Sequence, residues 1–150
     1  MNILKLLMAS ATWKGSYFLA KTDPDTYSAA QFAKDGQTTW DGVRNAQALQ
    51  AVRAMRSGDR VFIYHSMGEA AVVAVADVVG DGRPDPVNPK LAVADFRYRC
   101  AIEPPVTLRE IKESGLFDDW SLVRQSRLST MEAPAKFVKW MRARRKALDF

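Results

Sequence analysis

Short apolar runs broken by proline and glycine run through the chain, and they alternate in character between strand-like and helix-like. Residues 16–21, aromatic and aliphatic, stop at Asp23-Pro24-Asp25 and predict a first strand followed by a turn. Ser28 then stands as a cap before Ala29, Phe32 and Ala33, a small apolar face that predicts a helix ending at Asp35-Gly36. Residues 37–44 are polar apart from Trp40 and Val43 and read as a loop. Ala48, Leu49, Val52 and Met55 recur at helical spacing behind Asn45, which predicts a helix over 45–55 closed by Ser57-Gly58-Asp59.

Two strands follow, over 60–65 and 70–79, the second so rich in Val and Ala that both of its faces are expected to be buried. Residues 80–89 hold five glycines and prolines in ten positions and read as an exposed loop, and alternation over 91–102 predicts a long strand. Thr107 with Glu110 forms a capping box for a short helix stopped at Gly115. Pro134 suits a first helical position, and Phe137, Val138, Trp140 and Met141 give the last helix its apolar stripe. Strands that follow one another without intervening helices argue against a doubly wound parallel sheet. The expected architecture is α+β, a small mixed or antiparallel barrel-like sheet with flanking helices, over residues 16–150. Residues 1–15 are expected to be an extension ahead of it: a lysine inside the apolar run argues against a signal peptide.

Charge and composition narrow the chemistry. Twenty-two Lys and Arg against 17 Asp and Glu give a net charge of +5, which favours polyanionic partners, and part of that excess sits on the last helix. One cysteine, Cys100, has no intrachain partner for a disulfide and fits a reducing, cytoplasmic setting. One histidine and one cysteine are too few for the usual zinc sites, so no metal is expected. No apolar run approaches the ~20 residues that a bilayer-spanning helix needs, so no membrane partner is expected. No Walker loop or Gly-x-Gly-x-x-Gly is present, and no cofactor is expected.

Three segments carry candidate chemistry. Trp40-Asp41-Gly42-Val43-Arg44-Asn45 sets a flat aromatic and an amide just before a helix, a wall and an edge for a planar ligand, although Trp40 can equally pack on the core and Asn45 serve only as a cap. Tyr64-His65-Ser66 ends a strand, where His65 is either a ligand contact or a satisfied core histidine. Neighbours on a strand point to opposite faces, so His65 and Ser66 do not form a nucleophile and base, and the protein is not expected to be an enzyme. Arg124, Ser126 and Arg127 suit phosphate oxygens or, alternatively, a solvated turn.

Together with Lys21-Thr22-Asp23-Pro24-Asp25-Thr26-Tyr27-Ser28 and Val123-Arg124-Gln125-Ser126-Arg127-Leu128-Ser129, these segments resemble, in order and spacing, the EVE domain family. The resemblance implies a PUA-like mixed β-barrel with helices around it, and a non-enzymatic module that reads a modified nucleobase in DNA or RNA. It implies a base pocket formed by Trp40, Val43, Asn45, Tyr64, His65 and Ser66, with Lys21, Arg124, Ser126, Arg127 and Leu128 at the rim. The family often has a tyrosine after the asparagine and an Arg-Asn pair soon after, where this chain has Ala46, Leu49 and Gln50; the missing aromatic implies a shifted ligand preference. A second reading is a small-molecule or protein-interaction domain whose basic last helix meets an acidic partner.

Overall fold

The computed structural model describes residues 15–150, so nearly all of the expected extension over 1–15 lies outside the described residues. The strands are β1 (Tyr17–Thr22), β2 (Gln37–Trp40), β3 (Arg60–His65), β4 (Ala71–Val78), β5 (Arg83–Pro84), β6 (Ala92–Thr107) and β7 (Thr130–Glu132). The helices are α1 (Ala29–Asp35), α2 (Ala46–Ala54), α3 (Leu108–Glu113), α4 (Ser121–Arg124) and α5 (Ala135–Arg144). The strands hydrogen-bond in the order β2-β6-β4-β3-β1-β7, with β5 added alongside β6. Only β1 and β3 pair in parallel; the resulting mixed sheet curls into a half-barrel.

The parallel pair sets the layout. Joining β1 to β3 requires a crossover, and the chain makes it through α1, β2 and α2, which places both helices and the β2 edge beside the carboxyl end of β1. Local signals fix the helix starts. Ser28 Oγ accepts from Gln31 N, Asn45 Oδ1 accepts from Gln47 N and Ala48 N, and Thr107 with Glu110 makes the full capping box. Asp59, 7% exposed, accepts from Ser16 N and Arg56 N at 2.9 Å each and so ties the start of β1 to the turn before β3.

Two aromatic clusters fill the core. Under α5, Phe137 meets Trp120 at 4.5 Å and Phe62 at 5.4 Å between ring centroids, and Phe150 closes on Phe62 from the chain's end. Under α1 and β2, Phe32, Trp40, Phe96 and Tyr98 pack on one another. The second cluster forms the floor of the site described below.

Several expectations are corrected. The polar stretch 37–40 is strand β2, not loop: as an edge strand it exposes Gln37 and Thr39, and β-branched threonines suit a pleated surface. The strand expected to end at 102 continues to Thr107 through Pro104-Pro105, because a register irregularity between Val72 and Ala74 of β4 opens where those two residues lack donors. The loop 80–89 contains β5 and a close approach: a Cβ on Gly82 would lie 2.1 Å from the Val52 carbonyl oxygen, so only glycine fits there. Strand β7, three residues long, is too short to show alternation. Pro134 is the cap of α5, not its first residue.

The basic last helix is also less free than its sequence suggests. Lys136 Nζ holds the Leu116 carbonyl at 2.9 Å, Arg142 Nε holds the Phe150 carbonyl at 2.7 Å, Arg144 pairs with Glu110, and Arg145 Nη2 holds the Pro104 carbonyl at 2.7 Å. These cations tether the neighbouring chain to α5.

Candidate functional site

At the carboxyl end of β1, a cavity of about 400 Å3 opens between that strand, the β2 edge and the turn after β2. Trp40 forms part of its wall. The indole is 8% exposed, stacked on Phe96 at 5.1 Å and 28°, tilted against Phe32 at 6.3 Å, and met edge-on by Tyr27 at 6.3 Å. Trp40 thus packs on the core and lines the cavity as well. Val43, 5% exposed, lines it beside Gly42, whose positive φ of 76° turns the chain from β2 towards α2.

Lys21 lines the same cavity as a half-buried cation. Its Nζ donates to the Ser126 carbonyl at 3.0 Å and lies 5.6 Å over the Tyr64 ring. Among the described residues no carboxylate lies within salt-bridge distance of it, and burial holds its pKa below the usual lysine range. An ammonium has three donors, so two remain for a ligand. Thr22, Thr38, Thr39, Tyr27 and Ser129 add hydroxyls around the cavity. Sequence reasoning missed these. The β-branched pair Thr38-Thr39 before Trp40 is the available signal for a strand there.

A second cavity, about 300 Å3, is lined by Asn45, Arg124, Gln125, Ser126, Arg127 and Leu128. The bond from Lys21 to Ser126 joins the two. Asn45 thus serves as the α2 cap and lies outside the Trp40 cavity, with its amide NH2 still free of the capping bonds. Arg124 makes one loose pair with Asp119 at 3.7 Å, both well exposed, and Arg127 makes no ion pair among the described residues.

The third expected segment, Tyr64, His65 and Ser66, lines neither cavity. Tyr64, 3% exposed, lies under Lys21 instead, and burial raises its hydroxyl's pKa. His65 Nε2 accepts from Ala29 N at 3.1 Å, taking up a free donor at the start of α1, and burial lowers its pKa. A protonated imidazole has no lone pair for that bond. Between the lowered native pKa and the ordinary value of about 6.5, the unfolded chain binds more protons, so stability falls as pH drops through that window. Thermal melts from pH 8 to pH 5 are expected to show this loss, and His65→Gln is expected to flatten it; an unchanged profile in the variant assigns the loss elsewhere.

Among the described residues no group of three or more His, Cys, Asp or Glu is placed to hold a metal ion, and no helix is long and apolar enough to cross a membrane. Cys100 is partly buried on β6, and burial raises its thiol's pKa.

The family model for the EVE domain matches residues 16–144. Thymocyte nuclear protein 1 of Gallus gallus is 33% identical over 102 residues, covering 56% of this chain and 42% of that protein. The Homo sapiens protein of the same name is 29% identical over 125 residues, covering 65% and 56%. The chain thus spans about half the length of these curated relatives. Among solved structures, a Rhodopseudomonas palustris protein superposes with a TM-score of 0.82 at 32% identity, covering 90% of this chain and 96% of that one. Human THYN1 protein, solved in complex with 5-methylcytosine-containing DNA, superposes with a TM-score of 0.80 at 21% identity, covering 90% and 100%. The curled mixed sheet with five helices among the described residues is the PUA-like fold of these neighbours, and the chain belongs to the EVE domain family.

Proposed function

We propose that this domain is a non-enzymatic reader that takes a modified nucleobase of DNA or RNA into the Trp40 cavity. The observation that carries the reading is the joining of an aromatic-walled cavity to a half-buried lysine without a carboxylate partner, with two arginines next door. Aromatic walls hold bases by stacking, a lysine donates to acceptors on a base edge, and Arg124 and Arg127 suit the phosphates on either side. The related fold of human THYN1 protein, solved with 5-methylcytosine-containing DNA, supports the same ligand class. Catalysis finds little support: the His65 lone pair is taken by Ala29 N, and the Cys100 thiol is held protonated by burial. The reading of α5 as a dock for an acidic partner loses support from the internal tethers of three of its cations and of Arg145 at its end.

The test is fluorescence anisotropy with oligonucleotides carrying methylated or hydroxymethylated bases, and with unmodified controls, across a salt series. Modified strands are expected to bind more tightly than controls. Two phosphate contacts predict a slope of about −1.4 in log affinity against log salt for a single strand. Equal affinity for modified and unmodified strands would sink the proposal.

A further inference from the structure

A further cavity is neither of those above. It measures about 480 Å3 and lies between α2 and the β7 edge, lined by Gln47, Gln50, Trp120, Thr130 and Glu132 among others. Gln47 and Gln50 stand three apart on α2 and so share one face of it. Neither carboxamide makes a hydrogen bond among the described residues, and the Glu132 carboxylate makes no ion pair there. Trp120 Nε1 donates to the Glu132 carbonyl at 2.9 Å, which fixes the indole and the β7 backbone against each other.

One stretch of chain contributes lining residues to all three cavities. Ser129 lines the Trp40 cavity and its neighbour Thr130 lines this one, so a single strand separates them. Leu128 lines both this cavity and the one holding Arg124 and Arg127. From Ser126 to Thr130 the chain reaches at most ~14 Å. The arginine-lined cavity thus borders the Trp40 cavity through the Lys21 to Ser126 bond and borders this one, with its free amides and free carboxylate, through Leu128.

We propose that the cavity between α2 and β7 holds the base next to the modified one and selects for an amino-bearing base, adenine best. The inference rests on base binding in the Trp40 cavity. A glutamine amide matches the N6 and N7 pair of adenine, and a carboxylate accepts from an exocyclic amine. Thymine and uracil present a carbonyl where adenine has its amine, and Glu132 repels it. The phosphate between the two bases lies at Arg124 and Arg127, away from Glu132.

The test uses labelled single-stranded pentadeoxynucleotides with central 5-methylcytosine, 5-hydroxymethylcytosine or cytosine, varying the base on each side among A, C, G and T. On one side only, adenine is expected to bind at least about fivefold more tightly than thymine. The Q47A/Q50A double variant, with alanines at exposed helical positions that favour folding, is expected to lose that preference while keeping its affinity for the thymine-flanked modified strand. E132Q is expected to narrow the gap between adenine and thymine. Wild-type binding with no flank preference on either side overturns the inference, as does a preference that survives in Q47A/Q50A. A flank preference without any preference for the modified centre instead overturns the reading of the Trp40 cavity and leaves the second cavity standing.

Discussion

Trp40→Ala is expected to cost about 3–5 kcal/mol of stability and to remove measurable binding of modified bases. Both effects follow from one side chain. The indole is stacked on Phe96 and tilted on Phe32, so its loss leaves a void in the aromatic cluster that supports β2. The same indole lines the cavity, where stacking contributes roughly 1–3 kcal/mol per base. A domain of this size has about 5–15 kcal/mol in hand, so loss of binding in the alanine variant confounds a missing wall with a loosened fold. Trp40→Phe separates the two. It keeps a ring against Phe96 and is expected to retain most of the stability while weakening binding by severalfold. Urea denaturation and anisotropy on both variants read the effects independently. Full binding by a folded Trp40→Ala protein would show that the base does not sit against this wall.

Most of the fold was legible in the sequence where local chemistry decides it. The caps at Ser28, Asn45 and Thr107, and the doubly buried run of β4, act over a few residues and are written there. The elements that were missed depend on distant partners. Strand β2 is polar because it lies at an edge and pairs only with β6, and β7 exists because β1 offers three residues of unpaired backbone. The site divides in the same way. The family resemblance implied that Trp40, Asn45 and the 124–128 segment lie near one another, but it could not separate the two cavities they line, since that depends on the Lys21 to Ser126 bond across 105 residues. His65 could not be assigned from sequence because its partner, Ala29 N, is offered by a helix 36 positions away.

The Lys21→Met substitution is expected to move binding and stability in opposite senses, which makes it the cleanest probe of the site. Methionine keeps an unbranched stem of similar length in the half-buried position and removes only the charge and its donors. Burial disfavours the charged lysine in the fold, so between its lowered native pKa and its ordinary range near 10.4 the unfolded chain binds more protons and stability rises with pH. Removing the group removes that slope, and at neutral pH the variant is expected to be at least as stable as wild type. Binding is expected to weaken roughly tenfold to hundredfold, the worth of a hydrogen bond to a charged donor. The salt dependence supplies the decisive contrast. If Lys21 reaches a base edge, as its place in the Trp40 cavity implies, its loss lowers affinity at every salt concentration and leaves the slope unchanged, because Arg124 and Arg127 still hold the phosphates. A slope that drops by about 0.7 instead places Lys21 on a phosphate. Affinity within twofold of wild type removes it from the interface.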